Sequence, residues 1–150
     1  MKTYEDGTFI NKEPDKIKYW RFDLSNISKK ARIGEGTVIH AGVHIHDQAV
    51  IGKNCQIEAQ AFIPNGVILE DEVFIGPHVC FTNDPTLTSD RKIWKPTETL
   101  VKRGAKIGAN ATIRAGIVIG ENAIIGCGSV VLHDVPPGEV WAGNPAKKIR

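Results

Sequence analysis

The chain of 150 residues lacks the marks of several protein classes. Positive charge is not in excess. With 19 Lys and Arg against 17 Asp and Glu, the formal net charge is +2, far from the concentrated basic stripe of a nucleic-acid binder, so no nucleic-acid partner is expected. Phosphate on a small ligand stays open. No segment approaches the roughly 18 consecutive apolar residues of a membrane span. Residues 1–26 mix charges with aromatics and contain no apolar stretch of signal-peptide length, so the expectation is a cytoplasmic protein with no membrane partner. Cysteine is scarce. Cys55, Cys80 and Cys127 are odd in number and show no C-x-x-C spacing, which argues against a disulfide framework and a zinc knuckle. At 41% apolar and 24% charged residues, the composition is that of one ordinary globular domain.

What the chain does have is a period. From Ile27 through Ile33, Ile39 and Ile45 to Phe81, every sixth residue is aliphatic or Phe, and the run resumes at Val101 and continues to Val131. Four residues after each anchor stands a second small or β-branched residue, as at Ala31, Thr37, Val43, Ala49 and Cys55, and again at Ala105, Ala111 and Ile117. Gly often follows the anchor directly, and Asn or Gly recurs between anchors, where a short strand must turn a corner. A helix of period 3.6 cannot supply a strict six. The pattern predicts an all-β coil of short parallel strands in which each anchor stacks on its equivalent one coil away. Each buried anchor contributes about 1.5–3 kcal/mol, which offsets the ordering entropy of strands this short.

These features divide the chain into an N-terminal cap (1–26), a β-helix (27–134) interrupted by a loop (82–100), and a C-terminal tail (135–150). Tyr19, Trp20 and Phe22 are expected to cover the first coil and the Pro-rich segment from Val135 to close the last.

The repeat I-G-x-x-A-x resembles the hexapeptide-repeat acyltransferase superfamily. That resemblance implies a left-handed parallel β-helix with three hexads per coil, and a homotrimer with active sites between subunits. Within the superfamily, the strings Phe74-Ile-Gly-Pro-His-Val-Cys-Phe-Thr-Asn83 and Glu98-Thr-Leu-Val-Lys-Arg-Gly-Ala-Lys-Ile-Gly-Ala-Asn110 are similar to bacterial nucleotide-sugar 3-amino N-acetyltransferases. The ending Trp141-Ala-Gly-Asn-Pro-Ala-Lys-Lys-Ile-Arg150 is shared more widely among acyltransferases. After Asn83 the chain departs from those relatives, with Asp84-Pro-Thr-Leu in place of a Tyr-Pro-Arg segment. The resemblance implies acetyl-CoA as cosubstrate, no metal, and a nucleotide-linked amino sugar (UDP or dTDP) as acceptor in surface polysaccharide (lipopolysaccharide) biosynthesis.

The same resemblance singles out residues. Asn83 corresponds to an Asn that faces the amino group of the sugar, and the loop after it helps form the acceptor site, where Asp84, Arg91 and Trp94 are candidates for contact with sugar or phosphate. With coils of about 18 residues, Asn65 and Asp47 lie below Asn83 and extend a polar ladder, or serve only as corner residues. Ala109 and Cys127 match positions where relatives pass the pantetheine arm, and His133, Lys147 and Arg150 match positions near the nucleotide end of CoA. Chemistry favours an amine acceptor. A hydroxyl needs a general base, whereas an amine with a pKa of about 8 is partly unprotonated at neutral pH. His78, three residues after an anchor, is the one candidate base near the loop and supports an alternative reading as a sugar or serine O-acetyltransferase. A non-catalytic assembly subunit is a further alternative. His40, His44 and His46 also raise a metal-dependent hydratase, but no two of them stand one coil apart.

Overall fold

The computed structural model describes residues 18–19 and 24–150. Trp20 and Phe22, expected to cap the first coil, lie outside the described residues, while Lys18–Tyr19 forms a short strand parallel to Val38–Ile39. The described residues hold nineteen strands, most of them two residues long. Most of the two-residue strands pair an outward residue with a buried anchor, as Val38 with Ile39 or Lys106 with Ile107.

Parallel pairing builds a left-handed β-helix with three sheets as its faces. On the first face Ile39, Ile57, Ile75, Ile107, Ile125 and Trp141 stand in register, on the second Ile27, Ile45 and Ile63, then Phe81, Ile113 and Val131, and on the third Ile33, Ile51, Leu69, Val101 and Ile119. Nearly all of these anchors are fully buried and form one continuous core. One step differs. Ile57 pairs with Ile75 at a spacing of 18 residues, but Ile75 pairs with Ile107 at a spacing of 32. The excess leaves after Phe81 and returns at Thr99, two residues before Val101, without disturbing the register on either side.

Two constraints explain the hexad. Three residues after the anchor the backbone turns with positive φ, a conformation that favours Gly and Asn: Gly36 (79°), Asn54 (53°), His78 (58°) and Asn110 (59°) all occupy this corner. One residue after the anchor, coils approach so closely that only hydrogen fits at Gly108, where a Cβ would sit 2.7 Å from the backbone nitrogen of Cys127.

The top coil is closed by the tail. Val135 bridges Ile119, Trp141 continues the first face, and Ala146–Lys148 folds back antiparallel on Val140–Gly143 through a cis Asn144–Pro145 bond. Among the described residues no helix is long and apolar enough to cross a membrane.

Candidate active site

Because the coil has three corners, residues two positions after an anchor line three edges of the prism, and each edge has its own chemistry. The first edge, between first and second faces, carries Ala41, Ala59, Pro77, Ala109 and Cys127, small side chains that leave the backbone approachable. The second, between second and third faces, carries Lys29, Asp47, Asn65, Asn83, Ala115 and His133. The third alternates in charge, Glu35, Lys53, Asp71, Arg103 and Glu121, and is tied by carboxylates: Lys53 N donates to Asp71 Oδ1 (2.7 Å) and Arg103 Nη2 to Glu72 Oε1 (2.6 Å).

Asn83 sits on the second edge where the chain leaves the coil. Its Nδ2 donates to Asn65 Oδ1 (2.7 Å) and to the Asn65 carbonyl (3.1 Å), while the Asn83 carbonyl accepts from Thr97 N (2.9 Å). Among the described residues nothing donates to Asn83 Oδ1. Below Asn65, Asp47 accepts from the Ser28 hydroxyl and pairs with Lys30 (3.3 Å), and these partners hold its carboxyl below the ordinary value. Asn83 and Asn65 are thus hydrogen-bonded to each other, whereas Asp47 takes its partners from Ser28 and Lys30.

The loop folds down over this edge. Arg91 and Trp94, stacked with the guanidinium carbon 5.9 Å from the ring centroid, join Asn26, Ser28, His46, Asp47 and Asn65 around an open cleft of about 400 Å³. A second hollow of about 450 Å³ lies within the loop, lined by Asp84, Thr88, Ile93, Trp94 and Thr97 among others, so Trp94 borders both. Asp84 is a loop former. Its Oδ1 accepts from Thr86 N (2.8 Å), the Thr86 hydroxyl (2.6 Å) and Leu87 N (3.1 Å), and its Oδ2 from Thr88 N (2.9 Å). The Thr86 hydroxyl and these backbone donors keep its carboxyl below the ordinary value.

The structure thus gathers Asn65, Arg91 and Trp94 at one cleft, and Asn83 adjoins it through its hydrogen bond to Asn65. The remaining sequence candidates sit elsewhere. His78 is an exposed corner residue of the first edge, its N–H donating to the Ala59 carbonyl (3.0 Å). Ala109 and Cys127 stack on that edge, with Gly128 N donating to the Ala109 carbonyl (2.8 Å). Lys147 stands opposite Ala142, close to the top of the first edge, whereas Arg150 pairs with Val140 at the far end of the same strand. His133 lies on the second edge, above Asn83. Asn26, Ser28 and His46 are cleft residues that the sequence reading did not assign to the acceptor side. Their signal was available, since Ser28 and His46 follow second-face anchors as Thr82 does. His40, His44 and His46 do not converge: His40 faces Glu58 (3.6 Å), and His46 packs edge-on against Phe62, centroids 5.0 Å apart. Among the described residues no three His, Cys, Asp or Glu form a group that would hold a metal ion.

A left-handed coil of hexads with a loop over one polar edge defines a hexapeptide-repeat protein. The chain belongs to the bacterial transferase hexapeptide (six repeats) family, whose profile matches residues 30–65, 48–83 and 98–133. Serine acetyltransferase 2 of Arabidopsis thaliana is 37% identical over 109 residues, 73% of this chain and 32% of that protein. A UDP-3-O-acylglucosamine N-acyltransferase of Methylobacterium nodulans is 32% identical over 123 residues, 82% of this chain and 26% of that protein. The chain therefore spans about a third or less of the length of these curated relatives. Among solved structures, a histidine variant of GDP-perosamine N-acetyl transferase from Caulobacter crescentus, in complex with CoA and GDP-perosamine, superposes with a TM-score of 0.75 at 26% identity, covering 89% of this chain and 57% of that one.

Proposed function

We propose that the chain is an acetyl-CoA-dependent N-acetyltransferase that acetylates the amino group of a nucleotide-linked amino sugar, acting as a cytoplasmic homotrimer in surface polysaccharide biosynthesis. The observation that carries the reading is the Asn83 amide. Asn65, which lines the cleft, takes its N–H, leaving Oδ1 as an oriented acceptor for an amine N–H one coil above. The small first edge suits an extended pantetheine arm along Ala109 and Cys127, and Lys147 at its upper end offers charge to a phosphate. The named acceptors of two relatives, a UDP-linked and a GDP-linked sugar, support the acceptor class.

In this reading the free amine, held by Asn83, attacks the thioester carbonyl and the CoA thiolate departs, with the thiolate or water taking the amine proton. Positioning supplies much of the acceleration. Within one copy, Asn83 and Ala109 occupy different edges of the prism. A trimer would bring the acceptor edge of one copy to the first edge of the next.

A second reading is acyl transfer to a hydroxyl with His78 as general base, favoured by the exposed placement of His78 on the first edge and by the serine acetyltransferase relative. A thiol-release assay with acetyl-CoA against UDP-, dTDP- and GDP-linked amino sugars and serine separates the two. Acetylation of an amino sugar that collapses in Asn83→Ala and survives in His78→Ala is the expected result. Turnover of a hydroxyl acceptor only, lost in His78→Ala, overturns it in favour of the second reading, and absence of any turnover overturns both.

A further inference from the structure

Asn83 lies between the two ends of the loop, and each end is fastened to the coil above by a threonine hydroxyl. Thr82, the residue before Asn83, accepts from Ala115 N at its Oγ1 (2.9 Å), and that hydroxyl donates in turn to the Ile113 carbonyl (3.3 Å). Thr99, two residues after Thr97, accepts from Gly116 N at its Oγ1 (3.0 Å). Ala115 and Gly116 are consecutive residues of the corner directly over Asn83, because Ile113 stands in register with Phe81. Departure and return are thus held under one corner.

The other two edges are stitched by backbone alone. On the first edge Asn110 N donates to the Pro77 carbonyl (2.9 Å) and on the third Asn122 N to the Arg103 carbonyl (3.0 Å), each from the residue three after an anchor to the edge residue one coil below. Gly116 holds the equivalent place over Asn83, yet its N–H goes to Thr99, and the Asn83 carbonyl accepts instead from Thr97 N (2.9 Å). The Thr99 hydroxyl therefore stands in for the Asn83 carbonyl, which is given over to the loop. Burial does not call for a hydroxyl there: Thr99 is fully buried, and Val67 and Ile117 occupy the same inward position in the coils below and above. A hydroxyl among aliphatic neighbours costs desolvation unless it is bonded. Thr37 supplies the contrast, a buried threonine of the third edge whose Oγ1 donates to the Gly52 carbonyl (2.9 Å) and accepts from Cys55 N (3.2 Å), away from Asn83.

We propose that Thr82 and Thr99 are positioning residues for Asn83: their hydroxyls fasten both ends of the loop to the Ala115–Gly116 corner and so fix where Asn83 presents its amide. The inference rests on the reading of Asn83 as the group that holds the amine and adds what holds Asn83. Without the Thr99 hydroxyl, the pattern of the other edges hands Gly116 N to the Asn83 carbonyl and draws Asn83 away from Thr97. Without the Thr82 hydroxyl, the N–H of buried Ala115 loses its partner, and residue 82 is tied to the coil above only by its own N–H to the Ile113 carbonyl (3.0 Å). A misplacement of about 1 Å at a reacting group costs up to roughly a hundredfold in rate.

The test compares Thr99→Val and Thr82→Val with Thr37→Val in the full chain, using acetyl-CoA and the amino sugar that the parent turns over. Thr99→Val and Thr82→Val are each expected to lower kcat about tenfold with the KM for acetyl-CoA unchanged. Thr99→Ser is expected to retain most of kcat, and Thr37→Val to match the parent. In the Asn83→Ala background Thr99→Val is expected to cause no further loss, since a positioning residue then has nothing to position. A loss in Thr99→Val no greater than in Thr37→Val, or an equal fold loss with Asn83 and with Ala in its place, overturns the proposal. Should Thr99→Val not fold, a Thr82→Val equal to the parent, or a Thr99→Ser that has lost kcat, overturns it as well. Hydrogen exchange of the Thr97 amide reads the same fastening without catalysis, and is expected to quicken in Thr99→Val and to hold in Thr37→Val. The two readings therefore fail separately. Quickened exchange in a protein that acetylates no amine removes the function and keeps the fastening, while unchanged exchange removes the fastening whether or not the protein is active.

Discussion

Asn65 and Asn83, 18 residues apart in sequence, are joined by a side-chain hydrogen bond of 2.7 Å that holds Nδ2 of the Asn83 amide and leaves its Oδ1 unpaired among the described residues. Two kinds of loss are therefore expected. Asn83→Ala removes the acceptor and is expected to lower kcat about a hundredfold, the scale of a misplaced reactant. Asn65→Ala leaves Asn83 present but free to rotate, with a smaller loss. Thiol release at saturating acetyl-CoA measures both, and equal activity in all three proteins would remove this pair from the chemistry.

Ile107 is fully buried between Ile75 and Ile125. Ile107→Ala is expected to cost about 2–5 kcal/mol, because neighbouring coils cannot collapse into the space without losing register. Denaturant unfolding followed by circular dichroism reads the change, and a loss below 1 kcal/mol would mean that the coils repack.

Two glycines beside the first edge, one residue after Ile107 and three after Ile125, should respond differently to alanine. At Gly108 a Cβ meets Cys127 N at 2.7 Å and Sγ at 2.9 Å, so the coils must part, at about 1–3 kcal/mol. At Gly128 (φ +69°) nothing lies within 4 Å, and only the left-handed backbone is strained, at about 1–2 kcal/mol. CoA affinity is the sharper readout: it is expected to fall in Gly108→Ala and to hold in Gly128→Ala.

Asp84 makes the loop pH-sensitive in a defined direction. Its carboxyl is held below the ordinary value, first by the Thr86 hydroxyl and also by the Thr86, Thr88 and Leu87 amides. A depressed value in the folded state means a contribution fully present above the unfolded pKa of about 3.9 and lost as pH falls through the folded value. Hydrogen exchange of the Thr86–Thr88 amides, corrected for intrinsic rates, is expected to stay slow from neutral pH to about 4 and to quicken only in stronger acid. Asp84→Asn is expected to show no such acid transition.

Cysteine labelling tests the first edge. Burial pushes the Cys55 thiol up, and Cys127 is exposed. Under limiting iodoacetamide, Cys127 is expected to be modified well before Cys55, and CoA is expected to protect Cys127 while leaving exposed Cys80, on the second face, unprotected. Equal labelling with and without CoA would separate the first edge from the donor.

The scaffold was legible because its physics is periodic. An anchor every six residues is a statement about burial, and Ile39, Ile57 and Ile75 fell into register as counted. The corner rule was half legible: Gly36 and Asn54 announce a left-handed turn, but His78 occupies the same corner at φ 58°, and a His there reads as a base candidate before it reads as a turn residue. The loop was least legible. Asp84 was assigned to substrate on resemblance, yet an Asp before Pro and Thr also accepts the amides that follow it, and no period ranks those uses. His133 shows what the period does reveal when counted by edge: two residues after Val131, it stands over Asn83 and not over Cys127.

At the neck of the loop, Thr97 N donates to the Asn83 carbonyl and Thr99 N to the Gly66 carbonyl, both at 2.9 Å, and a Cβ on Gly66 would sit 3.1 Å from the Thr97 carbonyl oxygen. That clasp uncouples length from phase. Anywhere else in the coils, one inserted residue would rotate every downstream side chain off its edge, scrambling the Ala109–Cys127 track along with the core. Between Asn83 and Thr97 the chain is free to lengthen, shorten or change composition while the coils above stay in step. On the proposed function, the loop that would choose the acceptor can diverge without touching the edge that would face the donor.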